Sequence, residues 1–200
     1  MKHGFDRVAA TVLFLLLSPF LAGLSLLLLV SNGWPVLFVQ ERVGVNGKPF
    51  WMYKFRTMVH DAVRQGLGTT VGKSDDRITR VGAWLRSWSL DELPQLLNVL
   101  TGEMSLVGPR PTLGYQVAQY TPWQWRRLEM KPGITGWAQV NGRNALPWSQ
   151  RIELDIWYVD HFSFWLDVRI LWRTVGVFLR REGLYGTEGV NDDFGSPRQP

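Results

Sequence analysis

The chain has 200 residues, a formal charge of +5 at pH 7 and no cysteine, which excludes disulfides, a thiol nucleophile and a cysteine zinc site. Its three histidines are scattered and offer little material for a histidine metal site or a catalytic triad. The positive charge is typical of proteins that meet nucleic acid, an anionic membrane surface or a phosphorylated substrate.

The first element is an uncharged apolar segment over residues 8–30, interrupted by Ser18-Pro19. About 20 apolar residues in a helix span the hydrocarbon core of a bilayer, so this length predicts a membrane segment. The segment is too long for a signal peptide, and no A-x-A-like cleavage site follows it. We therefore expect it to remain part of the mature chain.

The charges around this segment predict how it enters the membrane. Lysine and arginine lie on both sides of it, at Lys2, Arg7, Arg42, Lys48, Lys54 and Arg56. The positive-inside rule draws both ends toward the cytoplasm, which a straight span cannot satisfy. Pro19 has no N–H for the carbonyl of Leu15, and Ser18 can donate its hydroxyl to a carbonyl freed one turn back. The pattern favours a re-entrant helix broken at Ser18-Pro19, while a straight span with a proline kink stays open on the residues alone.

The remaining chain predicts one α+β, helix-rich domain over residues 34–186, between the membrane segment at 1–33 and a polar tail at 187–200. Asn46-Gly47 between two strand-like stretches predicts a small β-hairpin. Apolar spacing predicts helices over 78–88 and 89–102, the second stopped by glycine. Glycine and proline predict surface loops over 105–114 and 130–147, whereas the connector at 60–73 matches no pattern.

A late amphipathic helix is predicted over residues 164–181. Its apolar face comprises Val168, Leu171, Trp172, Val175, Phe178 and Leu179. Arginines occupy the opposite face, as in helices that lie in a membrane interface. A soluble helix packed on a core would show the same pattern. The 11 tryptophans of the chain favour the interface, because their rings prefer the headgroup level, although some could fill a core.

Asp91-Glu92 is the first candidate for chemistry. Pro94 cannot lie deep in a helix, so the helix has to begin shortly before it and Asp91 falls in or just before the first turn. A carboxylate there lies at the positive end of the helix dipole. The alternative is structural, because Ser89-x-x-Glu92 is also a capping-box pattern.

Basic and glycine-rich segments supply further candidates. Arg110 stands between two prolines, which restrain its backbone for bidentate binding of a phosphate, although an exposed turn paired with a carboxylate would look similar. Residues 132–137 and 141–144, which include Arg143, combine glycines with amide and guanidinium donors suited to a nucleotide. No P-loop or dinucleotide fingerprint is present. Asp75-Asp76 resembles a metal-nucleotide pair, but turn chemistry is the simpler explanation.

Five ordered segments carry a family resemblance: YKFRTM, RITRVGAWLR, SLDELPQLLNVLTGEMSLVGPRP, KPGITGWAQVNGRN and LDIWYVDHFS. With them the chain resembles the bacterial sugar transferases, the small monotopic phosphoglycosyl transferases, over nearly all of residues 1–186. The resemblance implies transfer of a sugar 1-phosphate from a UDP-sugar to polyprenol (undecaprenyl) phosphate, with release of UMP. It implies the first membrane step of polysaccharide, O-antigen or glycoprotein assembly, at the cytoplasmic face of the bacterial inner membrane.

The resemblance also implies roles for residues. Asp91 falls on the nucleophile that forms a covalent phosphosugar intermediate and is associated with Mg²⁺, Glu92 falls on its neighbour, and Ser18-Pro19 falls on the break of a re-entrant helix. We expect Arg110 to bind phosphate, with further help from Lys54, Arg56, Arg86 and Arg143. The expected partners are the two substrates and inner-membrane lipid, without nucleic acid, and the sequence leaves a homo-oligomer open.

Two other functions compete with this one. A membrane-anchored basic adaptor would need no catalysis and would use Asp91-Glu92 only as a helix cap. A nucleotide-sugar hydrolase would keep the phosphoryl chemistry but pass the group to water. Dependence of turnover on polyprenol phosphate separates the transferase from the hydrolase.

Overall fold

Helices dominate the computed structural model of the chain, which describes residues 2–62, 71–72, 74–180 and 183. Most of the connector at 60–73 and the whole tail at 187–200 lie outside these residues. Helix α1 covers Lys2–Asn32 and contains Pro19. Ser18 Oγ donates a hydrogen bond of 2.8 Å to the carbonyl oxygen of Leu15, the acceptor that Pro19 leaves without an N–H. The helical conformation therefore continues through Pro19, and the re-entrant path predicted from the sequence stays a prediction.

The N-terminal part of α1 is anchored to the rest of the chain by charged and polar contacts. Lys2 Nζ pairs with Asp167, and Ser105 Oγ donates a hydrogen bond to Asp6, which is buried. Ala10 on the same helix is fully buried in the main core. Other members of that core are Phe50, Met52, Leu96, Val99, Met104, Leu106, Val107, Val140, Tyr158 and Ile170.

The C-terminal part of α1 packs on a second cluster. Leu24 and Leu28 are buried there against Phe55 and Leu85. Much of the surface of α1 is nevertheless exposed and apolar, and only 11% of its most apolar 18-residue window is buried. Within the described ranges, α1 is the one helix long and apolar enough to cross a membrane.

The predicted hairpin is confirmed. Strand β1, Leu37–Val43, pairs antiparallel with β2, Pro49–Phe55. Asn46 and Gly47 in the connection have φ angles of 55° and 75°, the left-handed region that asparagine and glycine adopt most readily. The turn residues thus set the register that carries Lys54 to the site described below.

The helices predicted over 78–88 and 164–181 are confirmed as far as the described residues extend, to residue 180, and the range 89–102 holds a 3-10 helix followed by an α-helix. The elements after the hairpin are α2 Arg80–Ser87, a 3-10 helix Leu90–Gln95, α3 Leu96–Thr101, β3 Ser105–Val107, α4 Gly114–Val117, α5 Pro122–Trp125, β4 Gly133–Thr135, α6 Trp137–Val140, α7 Trp148–Asp160 and α8 Phe164–Arg180. Short 3-10 turns cover Val45–Gly47, Arg126–Leu128 and Arg143–Ala145. Helix α7 was not predicted by the sequence analysis.

The surface loops predicted over 105–114 and 130–147 are wrong in part, since residues 108–113 and 141–147 do lack strands and α-helices. The rest of the two predicted ranges contains β3 and β4, which pair in parallel as a second small sheet and are mostly buried. A Cβ on Gly133 or Gly136 would lie 2.1 Å from a backbone atom of Gly108. The glycines therefore permit close packing of one backbone on another, where the sequence analysis expected approach to a nucleotide.

Helix α8 turns its predicted apolar face outward. Trp172, Val175 and Leu179 are 81%, 55% and 69% exposed, while Ile170 on another face is fully buried. Eight of the 11 tryptophans are exposed, at Trp34, Trp51, Trp84, Trp123, Trp125, Trp157, Trp165 and Trp172. Filling a core is therefore the wrong explanation for most of them.

Candidate active site

Asp91 and Glu92 lie in the first turn of the 3-10 helix Leu90–Gln95 and are both buried. Ser89 precedes them in the left-handed conformation, with φ 52°, and its side chain makes no capping bond. The capping-box alternative is therefore wrong. The tight turn places two adjacent carboxyl groups in the interior, where each needs a compensating partner or a function.

Glu92 is held by two cations. Its Oε1 accepts hydrogen bonds from Lys54 Nζ at 2.7 Å and from Arg110 Nη2 at 2.8 Å. Burial by itself would raise the pKa of Glu92, but the charges of Arg110 and Lys54 outweigh it and hold that pKa well below its usual value. Glu92 is consequently an ionised carboxylate with both partners in place.

Asp91 differs from its neighbour. Among the described residues, the hydrogen bonds and salt bridges of Lys54 and Arg110 go to Glu92 and none engages the carboxyl group of Asp91, on which these cations act only through their charge. Burial raises the pKa of Asp91, the charge of Glu92 adds to this, and Lys54 and Arg86 oppose it. A buried carboxylate without a partner beside several cations is a candidate nucleophile rather than a structural group.

Asp91 lines a cleft with a volume of about 680 Å³. Lys54, Arg56, Arg86 and Arg110 line the same cleft. Arg86 Nη1 is buried and has no hydrogen bond within the described residues. The cleft is of the size that holds a small-molecule ligand, and its cations favour an anionic one.

Arg110 is fixed through its backbone. The neighbouring Pro109 and Pro111 are buried, and the carbonyl oxygen of Pro109 accepts a hydrogen bond of 2.9 Å from Gly133 N. Arg127 Nη2 donates a hydrogen bond of 3.0 Å to the carbonyl oxygen of Arg110 itself. The alternative interpretation required an exposed turn, and the two prolines of this turn are buried. Its second requirement is met, because Arg110 does pair with a carboxylate, that of Glu92.

Arg127 belongs to a buried hydrogen-bond network behind Arg110 that the sequence analysis missed. Its Nε donates to Asp155 Oδ2 at 2.7 Å and its Nη1 to the hydroxyl of Tyr120 at 2.7 Å, with Arg127 and Asp155 both almost completely buried. Because 28 residues separate Arg127 from Asp155, no local spacing identifies the pair.

The two other arginines predicted to bind phosphate have different surroundings. Arg56 donates hydrogen bonds to the carbonyl oxygens of Asn32, Gly33 and Trp34, and so ties the end of α1 to the domain. Its part in phosphate binding stays a prediction. Arg143 Nη2 donates to Ser89 Oγ at 3.2 Å, immediately before the acidic pair.

Asp75 explains the second acidic pair in the sequence. Its carboxylate accepts hydrogen bonds from Arg77 N, Nε and Nη2 at 3.1, 2.8 and 2.6 Å. This is the local turn chemistry that the sequence offered as the alternative to a metal-nucleotide site.

Comparisons with known proteins identify the family of this chain. The profile of the family described as Bacterial sugar transferase matches residues 1–181. An uncharacterized sugar transferase of Bacillus subtilis (strain 168), EpsL, is 47% identical over 190 residues, which cover 95% of this chain and 93% of that protein. The exopolysaccharide production protein ExoY of Rhizobium meliloti (strain 1021) is 37% identical over 92% of this chain and 88% of its own length.

Longer relatives carry more specific names. The UDP-glucose:undecaprenyl-phosphate glucose-1-phosphate transferase of Escherichia coli (strain K12) is 42% identical over 183 residues, which cover 88% of this chain and 39% of that protein. The chain thus spans about two fifths of that relative and nearly all of EpsL. With matches over almost its whole length, the chain is an enzyme of the bacterial sugar transferase family.

Proposed function

We propose that the protein transfers a sugar 1-phosphate from a UDP-sugar to polyprenol phosphate through a covalent intermediate on Asp91. The observation that carries this proposal is the difference between the two adjacent carboxyl groups. Glu92 is paired with Lys54 and Arg110, while the carboxyl group of Asp91 makes no hydrogen bond or salt bridge among the described residues and lines the cationic cleft. The names of the longer relatives support the choice of the two substrates.

The first step forms a bond between a carboxylate oxygen of Asp91 and the phosphorus that bears the sugar. The bond from that phosphorus to the bridging oxygen of the diphosphate breaks, and UMP leaves with the electron pair. Arg86 and Arg110 line the same cleft as Asp91 and would neutralise the diphosphate, so that an anionic carboxylate can approach it.

The second step returns Asp91 to its starting state. A phosphate oxygen of the polyprenol phosphate attacks the same phosphorus, the bond to Asp91 breaks, and the carboxylate is regenerated. The product is a polyprenyl diphosphate sugar. Because the nucleotide leaves first, a water-soluble donor and a lipid acceptor can react with the same Asp91 in turn.

Mg²⁺ is compatible with the residues present. Mg²⁺ is commonly held by one or two carboxylates together with substrate phosphates and water, and the unpartnered carboxyl group of Asp91 meets that need. No group of three metal-binding side chains occurs in the described ranges, so the substrate phosphates would complete the coordination. When bound, the ion would neutralise charge on the diphosphate.

We also propose that α1 enters the cytoplasmic side of the inner membrane and returns, changing direction at Ser18-Pro19 while remaining helical. Contacts at both ends support this: Lys2 and Asp6 bind the domain at one end, and Arg56 binds the other. A straight span would carry one end across the bilayer and away from the domain. The exposed apolar face of α8 would then lie in the same interface.

The test is release of UMP by the purified protein in lipid nanodiscs, with Mg²⁺, a panel of UDP-sugars, and polyprenol phosphate present or absent. We expect one equivalent of UMP without acceptor and continuous release with it. Asp91→Asn should lower both by more than about a thousandfold while membrane association is retained. Substantial turnover by Asp91→Asn would contradict the nucleophile assignment.

The same assay separates the alternatives. Continuous UMP release without polyprenol phosphate would indicate a hydrolase. No release with any donor would favour the adaptor, for which the comparisons offer no support because the relatives are named as transferases.

A further inference from the structure

Gln139 on α6 is a buried amide without a partner. The residue is 7% exposed, and neither Oε1 nor Nε2 has a hydrogen bond within the described residues. Leaving both ends of a buried amide unpaired is costly, and native structures rarely keep such a group unless a ligand, water or a catalytic role accounts for it.

The surroundings of Gln139 are recesses next to the active site. Gln139 lines two of them, with volumes of about 30 and 10 Å³, and Arg110 and Arg143 line both. Each recess also contains one carboxylate, Asp155 in the larger and Glu92 in the smaller. Both carboxylates are already paired with cations, Asp155 with Arg127 and Glu92 with Lys54 and Arg110.

The size and charge of these recesses limit what Gln139 can bind. Volumes of 10 to 30 Å³ admit a water molecule or single oxygen atoms of a ligand, but not a whole substrate. Two guanidinium groups beside an amide N–H favour oxygen atoms of a phosphate. A phosphate held by Arg110 and Arg143 could therefore reach the amide with one oxygen.

The smaller recess connects the acidic pair with the amphipathic helix. Thr174, Val177 and Phe178 of α8 form part of its wall, together with Glu92. The outward face of α8 is apolar and exposed. An amphiphile that arrives along α8 would therefore meet apolar side chains first and the cations beside Gln139 next. A nucleotide, in contrast, fits the larger cleft on the side of Asp91, whose cations match its phosphates.

We propose that Gln139, together with Arg143, binds the phosphate group of the lipid acceptor. This inference rests on the proposed function, because it assigns a binding site to the acceptor, one of the two substrates of the proposed reaction. The donor and the acceptor then share Arg110 and extend into different cavities: the nucleotide into the cleft, the lipid phosphate toward α8. UMP is a phosphate monoester like the lipid acceptor, so either could supply the phosphate that Gln139 binds. The experiment below distinguishes the two.

The test compares Gln139→Met and Gln139→Glu with the wild type in nanodiscs. Gln119→Met is the matched control, because Gln119 is exposed and lines none of the cavities described above. Four quantities are measured: KM for polyprenol phosphate, KM for the UDP-sugar, the UMP burst without acceptor, and inhibition by UMP. Melting temperatures with and without polyprenol phosphate report acceptor binding without turnover.

We expect Gln139→Met to raise KM for polyprenol phosphate about tenfold, the usual loss for one hydrogen bond to a charged group. The burst, the KM for the UDP-sugar and inhibition by UMP should stay within about twofold of the wild type. Gln139→Glu should raise the acceptor KM further, since its carboxylate repels the phosphate, and should abolish stabilisation by the acceptor. Gln139→Met should melt at a higher temperature than the wild type, because an unpaired buried amide is gone.

Three results would overturn the inference. An unchanged acceptor KM in both variants would mean that the amide holds only water or has a structural role. A raised KM for the UDP-sugar or weaker inhibition by UMP, with a normal acceptor KM, would assign Gln139 to the nucleotide phosphate. If the wild type releases no UMP at all, the proposed function fails, and acceptor-induced stabilisation equal in wild type and Gln139→Glu would separately refute the inference.

Discussion

Lys54 Nζ lies 2.7 Å from Glu92 Oε1, across 38 residues of sequence. Arg110 donates a hydrogen bond to the same oxygen. Glu92 is therefore paired with two cations, while the carboxyl group of Asp91 makes no salt bridge among the described residues. Burial lowers the pKa of Lys54, and the charge of Glu92 opposes that shift. The ion pair therefore holds the side-chain nitrogen of Lys54 at the cleft that Asp91 lines.

Glu92→Gln should change the pH dependence of the first step. Asp91 acts as a carboxylate, and its pKa is raised by burial and by the charge of Glu92, so activity is present above that pKa and lost as the pH falls through it. Removing the charge of Glu92 lowers the pKa of Asp91. The acid limb of kcat/KM for the UDP-sugar should move to lower pH, measured from initial rates of UMP release.

Glu92→Asp, which keeps the charge, is the control for this shift. If the acid limb of the kcat/KM profile does not move in Glu92→Gln, that limb does not reflect the ionisation of Asp91.

Arg110→Lys should weaken donor binding. Lysine keeps the charge but loses the planar fork, and Glu92 already takes one nitrogen of Arg110. We expect KM for the UDP-sugar to rise about 10-fold to 100-fold, since hydrogen bonds to charged groups contribute about 1.5 to 3 kcal/mol. Arg126→Lys, at an exposed ion pair with Asp160, should stay within about twofold. Equal effects of the two substitutions would argue against a specific role for Arg110.

Arg127 and Asp155 should prove coupled in stability. Their ion pair is buried, so Arg127→Met or Asp155→Leu alone leaves an unpaired buried charge and should cost about 3 to 5 kcal/mol of unfolding free energy. The double variant should cost less than the sum. Urea unfolding in detergent measures all three free energies, and additive effects would contradict the coupling.

Arg127→Met should also affect the site, since it removes the donor to the carbonyl oxygen of Arg110. KM for the UDP-sugar should therefore rise more in Arg127→Met than in Asp155→Leu. The opposite order would show that this hydrogen bond does not position Arg110.

The path of α1 can be tested with single cysteines, because the chain has none of its own. His3→Cys at one end of α1 and Gln119→Cys in the domain both replace exposed residues. In oriented membrane vesicles, both variants should react with an impermeant maleimide from the same side. Labelling from opposite sides would establish a straight span and refute the re-entrant proposal. Adding Pro19→Leu to His3→Cys should favour the straight span and move the labelled thiol to the other side.

Much of the local structure follows from the sequence. Asn46-Gly47 predicts the hairpin, the apolar spacing predicts α2, α3 and α8, and Pro94 places Asp91 in a first turn. These features depend on residues within a few positions of each other, whose steric and hydrogen-bonding preferences act locally. The buried strands β3 and β4 escaped prediction because three-residue strands are too short for periodicity, and their glycines and prolines are typical of loops.

The sequence alone determined where three features lie along the chain: the acidic pair Asp91-Glu92, the proline-flanked Arg110 and the apolar segment over residues 8–30. Only the tertiary structure decided that Glu92 is paired while Asp91 is not, because the cations involved come from 38 and 18 residues away. It also decided that Gln139 has no partner within the described residues and that the apolar face of α8 points outward. Burial and long-range pairing arise from packing, and no local pattern records which of two adjacent carboxyl groups the packing leaves free.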